Sequence, residues 1–422
     1  MMRKLVILVL SLALVLGVGL TACAPDEEPD EETIEIGALY PVSGELALLG
    51  EESFRGFELA VDYWNEQEGG INGVEVEINH ADIPDAEAAT AETERLITDQ
   101  GLETLVGSYA SFLSMAGTEV AERYGALYFE LGAISDPIIA DRDFEWAFRH
   151  CPVGSDFGVY SVEYIAEFAP DVLDKDLEDI TIAFTYEDGP YGTSVGEYGA
   201  DRAEELGMEV VAMEPYSSDA VDLSPVIERL NAADPDILSM TSYIDDAILF
   251  AEQAQDAGLH APIMMGNGGG HSMMDFIDAI GEDALGLMNV DFTHYQVNHE
   301  NAPGNAEFVE MYREKYDESP RSGHSLMNFG GGLVLLEAVE MAGTTEAEAV
   351  REALLEIEVE PFTTPVGFGA SWDLPNAEND RAWPTMMQWQ ELDDGEIAQV
   401  AVSPEELAVV DEPDLPMPDW SE

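Results

Sequence analysis

Basic residues are scarce in this 422-residue chain. It has 15 lysines and arginines against 88 aspartates and glutamates, which gives a formal net charge of −73 at pH 7. Nucleic-acid binding depends on basic side chains that neutralise phosphates, so this composition excludes that class of function. Carboxylates at this density repel one another unless salt screens them. We therefore expect a halophilic protein that keeps its fold in high salt.

Long apolar runs are scarce as well, and the longest lies at the N-terminus. Residues 5–20 are apolar except for one serine and two glycines, and Arg3 and Lys4 precede them. This run is shorter than the ~20 residues that a membrane-spanning helix needs, so it predicts a secretory signal over residues 1–22. The sequence Leu20-Thr-Ala-Cys23 resembles the lipobox of bacterial lipoproteins, which implies a lipidated Cys23 and anchoring at the outer face of the cell membrane. The alternative is an ordinary cleaved signal with an incidental cysteine.

Cysteine occurs only at positions 23 and 151. With Cys23 lipidated, Cys151 has no partner, so we expect no disulfide and interpret Cys151 as a small buried apolar residue. The sequence has no HExxH, CxxC or EF-hand pattern, and the segment Gly266–Gly270 lacks the last glycine of a dinucleotide fingerprint. We therefore expect neither a metal nor a cofactor.

What the chain does have is a regular alternation of β-rich and helical runs. Hydrophobic residues make up 46% of it, enough for a buried core. The alternation begins at Ile34–Leu39, stops near residue 150, resumes at Ile180–Thr185 and continues to about residue 290. Such alternation is typical of parallel, doubly wound α/β sheets, so the sequence predicts two lobes. Later runs predict three helices and then strands at Val366–Trp372, Pro384–Trp389 and Ile397–Val402, which requires several crossings between the lobes.

Short motifs recur along nearly the whole chain after residue 32. They include Tyr40-Pro-Val-Ser-Gly44, Glu68-Gly-Gly-Ile-Asn-Gly73, Leu105-Val-Gly107, Tyr186-Glu-Asp188 and Asp222-Leu-Ser224. In this order and spacing they resemble the leucine/isoleucine/valine-type binding proteins of ABC importers. The resemblance implies the type I periplasmic binding protein fold, in which two α/β lobes are joined by three crossovers. The protein would be no enzyme, and closure around a small ligand would present a surface to permease subunits.

The resemblance also implies boundaries within the chain. Lobe 1 would comprise residues 33–152 and 293–377, and lobe 2 would comprise residues 153–292 and 378–402. Residues 23–32, which are acidic and contain proline, would form a flexible tether. Residues 403–422 would form an acidic tail.

In this family a hydroxyl at the start of a first-lobe helix binds the ligand's carboxylate. The matching segment is Gly107-Ser-Tyr-Ala-Ser111, where a helix N-terminus favours an anion, and Ser111 is the first candidate. Ser111 could also be a simple helix cap, and Ser108 is the alternative ligand contact. The next loop places Ala133 and Ser135 at contact positions, although Ser135 could equally serve the turn before Asp136-Pro137.

Further contact positions of the family fall on an apolar residue and two aromatic residues. Leu49 matches a position that touches the ligand's side chain. Tyr191 and Tyr243 match second-lobe aromatic contacts, where tyrosine supplies an apolar face and a hydroxyl donor. Tyr243 could instead be a packed aromatic at the end of a strand.

The chain departs from the family at the residue that pairs with an amino acid's ammonium group. Amino-acid-binding members carry a carboxylate in a glycine-rich second-lobe loop, where this chain has Gly268. An unpaired buried ammonium would cost several kcal/mol. Either another acid such as Asp245 takes its place, or the ligand has no ammonium and Asn267 binds an uncharged group. The segments Phe129–Ala133 and Thr385–Trp389 resemble a family branch that includes binders of aromatic acids, so we expect the ligand to be a branched-chain amino acid, an aromatic acid or another small carboxylate or amide.

Two other functions fit parts of the sequence. Gly192-Thr-Ser-Val-Gly196 has the G-x-S-x-G pattern of a serine hydrolase, but Ser194 follows the predicted strand by several residues instead of sitting on a tight turn directly after it. The second alternative is a sensory receptor of the same fold that signals to a membrane partner.

Overall fold

The computed structural model describes residues 33–140, 142–375, 377–392, 395–410 and 412–418. The predicted signal, the lipidation site Cys23 and the predicted tether lie outside this part of the chain. The last four residues of the predicted acidic tail lie outside it as well.

The first sheet has five strands, all parallel, in the order β2-β1-β3-β4-β5. The short inner strands β3 and β4 are buried at every residue, because helices cover both faces of the sheet. The strands are β1 (Ile34–Tyr40), β2 (Val76–Asp82), β3 (Thr104–Gly107), β4 (Leu127–Glu130) and β5 (Ala147–Arg149). The helices between them are α1 (Ala47–Tyr63), α2 (Ala86–Thr98) and α3 (Ser111–Tyr124).

The second sheet has seven strands in the order β12-β11-β10-β9-β8-β6-β7, in which only β11 runs opposite to the others, antiparallel to both β10 and β12. Its strands are β6 (Thr181–Glu187), β7 (Glu209–Tyr216), β8 (Ile237–Thr241), β9 (Ile263–Gly266), β10 (Met288–Asp291), β11 (Thr385–Glu391) and β12 (Ile397–Ser403). Its helices are α4 (Gly154–Leu173), α5 (Pro190–Leu206), α6 (Ser224–Ala233), α7 (Ile244–Ala257) and α8 (Met274–Ile280).

The first five strands of each sheet have the same spatial order. In both, the second strand lies outside the first, and the third, fourth and fifth follow on the other side. The chain passes from the first lobe to the second after β5, returns to the first lobe after β10 and passes to the second lobe again before β11. This confirms the predicted α/β fold with two doubly wound lobes and three crossovers.

Three late helices, α9 (Asn305–Tyr316), α10 (Gly323–Ala342) and α11 (Ala347–Leu354), complete the first lobe. Helix α10 is buried over most of its length and packs on α1, where a Cβ atom at Gly56 would lie 1.9 Å from the carbonyl oxygen of Ser325. Within the described residues no single helix is long and apolar enough to cross a membrane. Only α10 and α11 taken together reach the required length and composition, and they are bent by 114°.

The structure differs from the sequence prediction in several places. Strands β5 and β10 and helices α4 and α8 were not predicted. The predicted strand Val366–Trp372 is wrong, since this segment makes only isolated bridges from Ala370 to Val359 and from Trp372 to Asn379. Its alternating apolar residues are nevertheless buried, and the indole of Trp372 donates to the carbonyl oxygen of Arg149 (2.7 Å). The alternation therefore reflects burial on one side of a loop and not pairing in a sheet.

Candidate functional site

A cavity lies between the two lobes and is partly open to solvent, with about 300 Å³ of space that protein atoms do not fill. We call it the inner cavity. Most of its lining residues come from segments that directly follow β3, β4, β6, β8, β9 and β10, at the carboxyl edges of both sheets, where open α/β sheets bind ligands. The lining residues are Leu49, Tyr109, Gly132, Ile134, Phe157, Tyr191, Tyr243, Asn267, Gly269, Asp291, Phe292 and His324.

One wall of the inner cavity is aromatic. The rings of Tyr109 and Tyr243 meet edge to face across the lobes, with centroids 6.3 Å apart, and Tyr191 lies 5.3 Å from Tyr243. The hydroxyl of Tyr191 donates to the main-chain oxygen of Asn267 (2.5 Å), which ties helix α5 to the loop after β9. The predicted contacts Leu49, Tyr191, Tyr243 and Asn267 therefore all lie at the cavity, and their ligand roles stay predictions.

A single carboxylate, Asp291 at the end of β10, lies among the described residues that line the inner cavity. It is 2% exposed and accepts hydrogen bonds from the hydroxyl of Ser272 and from the main-chain N–H of Phe292 (2.7 Å). Burial raises the pKa of Asp291 to about 7. His324 Nε2 lies 3.9 Å from the carboxylate, and burial lowers the pKa of His324 to about 3, so the imidazole is neutral. Among the described residues that line the cavity, Asp291 therefore has hydrogen-bond donors but no lysine or arginine beside it.

Asn267 lines the inner cavity, and its side-chain hydrogen bonds go to the strand β8. Its amide nitrogen donates to Ser239 (2.9 Å), to the carbonyl oxygen of Met240 (3.0 Å) and to Thr241 (3.2 Å). Because a carbonyl can only accept, the bond to Met240 fixes which amide atom is nitrogen. Within the described residues Oδ1 has no hydrogen-bond partner, and neither ring nitrogen of His324 has one.

Three other predicted contacts, Ser111, Ala133 and Ser135, lie behind the cavity wall. Ser111 begins α3, is 1% exposed, and its hydroxyl oxygen accepts the main-chain N–H of Ser135 (3.2 Å). Arg149 donates to the main-chain oxygens of Ala133 (3.2 Å) and Ser135 (2.9 Å). In this closed arrangement these residues hold the first-lobe loops in place, and a direct contact with ligand stays a prediction for all three.

The G-x-S-x-G sequence lies inside helix α5 and has a packing explanation. A Cβ atom at Gly192 would lie 2.1 Å from the main-chain oxygen of Glu187, and one at Gly196 would lie 2.6 Å from the ring of Tyr186. The Ser194 hydroxyl contacts the Ser135 hydroxyl (3.1 Å) and accepts the main-chain N–H of Asp136. Ser194 therefore joins the two lobes and is not placed as a hydrolase nucleophile.

The inner cavity adjoins a wider opening between the lobes, which we call the cleft mouth. Leu49, Tyr109 and Tyr243 line both spaces. Among the described residues, every charged residue that lines the cleft mouth is acidic: Glu45, Asp85, Asp219, Asp245 and Asp246. Asp245, which the sequence offered as a replacement for the missing carboxylate, lies here, exposed, and does not line the inner cavity.

Residues 33–391 match the sequence profile of a family described as periplasmic binding protein. The chain belongs to this family. Its curated relatives include the Leu/Ile/Val-binding protein homolog 7 of Brucella suis biovar 1 (strain 1330), which is 39% identical over 382 residues, 90% of this chain and 94% of the relative. Family members of this kind are substrate-binding proteins, so this periplasmic binding protein is not an enzyme.

Solved periplasmic binding proteins share the fold at lower identity. A branched-chain amino acid transporter substrate-binding protein from Streptococcus pneumoniae, in complex with isoleucine, superposes with a TM-score of 0.71 at 21% identity and covers 88% of this chain and 100% of its own. A solute-binding protein of an ABC transporter from R. palustris, in complex with 4-hydroxybenzoate, has a TM-score of 0.75 at 17% identity and covers 92% of this chain and 99% of its own. One neighbour thus binds an amino acid and the other an aromatic acid.

Proposed function

We propose that this chain is the exported, lipid-anchored solute receptor of an ABC importer, which captures a branched-chain amino acid or a related small carboxylate or amide and delivers it to permease subunits. The observation that carries the proposal is the inner cavity, which is lined by side chains from both lobes. Lobe 1 would comprise residues 33–152 and 293–377, and lobe 2 residues 153–292 and 378–402. The leucine, isoleucine and valine named for the relatives, and the ligands of the solved neighbours, define the range of candidates.

Capture requires that the ligand favour the closed arrangement. Contacts such as that of Ser194 with Ser135, and of Tyr109 with Tyr243, form only when the lobes meet. A ligand that touches Tyr109 from one lobe and Tyr191 from the other adds contacts that the open form cannot make. Its differential affinity then shifts the population towards closure.

We expect a ligand of this range to raise the melting temperature of the protein in high salt. A ligand present at 100 times its Kd stabilises the folded state by about 2.7 kcal/mol, which a thermal-shift screen resolves. The screen would contain amino acids, aromatic acids and short-chain carboxylates, followed by calorimetry on those that bind. No shift with any of them, for a protein that melts cooperatively, would contradict the receptor function.

Membrane attachment is expected to depend on Cys23. The change Cys23→Ser removes the thiol that would carry the lipid, so the protein should move from the membrane fraction to the soluble exported fraction. Cys151→Ser is the matched control, because Cys151 is buried in the first-lobe core and cannot carry an anchor. Ligand binding should be the same in Cys23→Ser as in the unaltered protein. Membrane attachment that survives Cys23→Ser would contradict a lipid anchor at this residue.

A further inference from the structure

The loop after β4, which we call the cavity loop, consists of Gly132, Ala133, Ile134 and Ser135. Its first and third residues line the inner cavity. The main-chain oxygens of its second and fourth residues accept hydrogen bonds from the guanidinium of Arg149, over 3.2 Å and 2.9 Å. The cavity loop therefore faces the ligand space with one set of residues and is held from behind through the other.

Two buried charges on neighbouring strands bind the cavity loop. Glu130 of β4 and Arg149 of β5 are register partners, and both are 0% exposed. Arg149 is the only fully buried lysine or arginine among the described residues. Glu130 Oε1 accepts the main-chain N–H groups of Gly132 (2.8 Å) and Ala133 (2.7 Å). Hydrogen bonds to charged groups are the strong ones, so the loop is fixed on its N–H side by a carboxylate and on its carbonyl side by a guanidinium.

The guanidinium of Arg149 also reaches the third crossover between the lobes. Its Nη2 donates to Oε1 of Glu378 (3.2 Å), and its Nε lies 2.9 Å from Oε2 of the same carboxylate. The main-chain N–H of Arg149 donates to the carbonyl oxygen of Ala377 (2.9 Å). Crossovers absorb the change in backbone angles when lobes close. One buried guanidinium thus joins the cavity loop to a segment that bends on closure.

The cavity loop is tied to the first crossover as well. The main-chain oxygen of Ile134 accepts the N–H of Gly154, the first residue of α4 (2.6 Å). The carboxylate of Asp136, which follows the loop, accepts the N–H (2.9 Å) and the hydroxyl (2.5 Å) of Ser155. Because α4 belongs to the second lobe, these bonds pass between the lobes. The loop therefore has direct connections to two of the three crossovers.

We propose that Arg149 and Glu378 are positioning residues for ligand binding, whose ion pair couples the place of the cavity loop to the bend of the third crossover. When the crossover bends, Glu378 moves, and Arg149 follows because a buried guanidinium that loses its carboxylate is strongly destabilised. The loop oxygens that Arg149 holds move with it. This rests on the proposed function and deepens it, since it names residues that set affinity without touching the ligand.

The test is calorimetry in high salt with leucine, isoleucine, valine and 4-hydroxybenzoate, combined with urea unfolding of each variant. For a compound that binds the unaltered protein, Glu378→Gln should weaken affinity by about 10-fold, a typical size for coupling between two sites. The control Glu360→Gln makes the same change at an exposed partner of Arg381, which keeps Glu358 as a second partner. It should leave affinity unchanged.

A second variant tests whether the pair acts as a unit. Arg149→Lys keeps the charge but loses the planar fork that serves Glu378 and the loop oxygens together, so it should weaken binding at least as much as Glu378→Gln does. Adding Glu378→Gln to Arg149→Lys should weaken binding little further, because residues of one network are not additive. Losses of affinity that add in the double variant would overturn the coupling.

The outcomes separate this inference from the proposed function. A merely structural pair would lower the free energy of unfolding in Glu378→Gln and leave the Kd of the folded protein unchanged. That result would overturn the inference and keep the receptor function. An unaltered protein that binds none of the four compounds would contradict the receptor function and this inference with it.

Discussion

Lowering NaCl from about 1 M to about 10 mM is expected to remove several kcal/mol of the free energy of unfolding, a large part of the 5–15 kcal/mol that holds most proteins together. The physical reason is the shortage of cations. Arg202 contacts both Glu163 and Glu205, and Arg381 contacts Glu358 and Glu360. With 88 acids and 15 bases, most carboxylates have no cation of their own. The Debye length grows from about 3 Å to about 30 Å over this range, so repulsion that is local in high salt extends across the whole surface.

Urea unfolding at a series of NaCl concentrations would measure this effect. Sucrose at matched osmolality is the control, because it favours the compact state by exclusion from the surface without screening charge. We expect NaCl to stabilise the protein far more than sucrose does. Full stability at about 10 mM NaCl, or equal stabilisation by sucrose, would contradict the halophilic interpretation.

The parts of the fold that the sequence predicts well are those with local signals. Helices α5 and α7 have a clear apolar face and end at glycines, and the buried strands β3 and β8 are short apolar runs between polar turns. Helix α4 escaped prediction because apolar and aromatic residues occupy most of its faces, and it contains Pro170 near its end. Strand β10 contains the polar residues Asn289 and Asp291, and its place in the sheet is set by pairing with β9 and β11, which are distant in the sequence.

The candidate site shows the same limit. Leu49, Tyr191 and Tyr243 could be placed at the cavity from the resemblance, because each matches a ligand-contact position of the family. Asp291 and His324 could not, since the resemblance assigned a contact position to neither, and they lie on different elements, at the end of β10 and at the start of α10. Only the packing of α10 against the end of β10 brings these two residues within 3.9 Å. The one local signal for a site residue here was a carboxylate at the end of a short strand, in Met288-Asn-Val-Asp291.

Glu52→Ala is expected to destabilise the protein by about 3–5 kcal/mol, because it leaves several buried donors without an acceptor. Glu52 lies in α1, is 1% exposed, and its carboxylate joins α1 to α9 and to the start of α10. It accepts the hydroxyls of Tyr312 (2.6 Å) and Ser325 and the main-chain N–H groups of Arg321 (2.9 Å) and Ser322 (3.4 Å). Burial raises the pKa of Glu52, while these donors act in the opposite direction.

The neighbouring residue provides the matched control. Glu51 is half exposed and pairs with Arg55 (2.9 Å), which also contacts Glu318, so Glu51→Ala leaves that arginine with a partner. An exposed pair contributes about 0–1 kcal/mol, so the two variants should differ by several kcal/mol in urea unfolding at high salt. Glu52→Gln keeps one acceptor oxygen but places an amide N–H group against the donors. We therefore expect its loss of stability to lie between those of the two alanine variants. If Glu52→Ala lowered the free energy of unfolding no more than Glu51→Ala does, the buried carboxylate would not be what holds α10 against α1. It would then not be what keeps His324 of α10 beside the inner cavity.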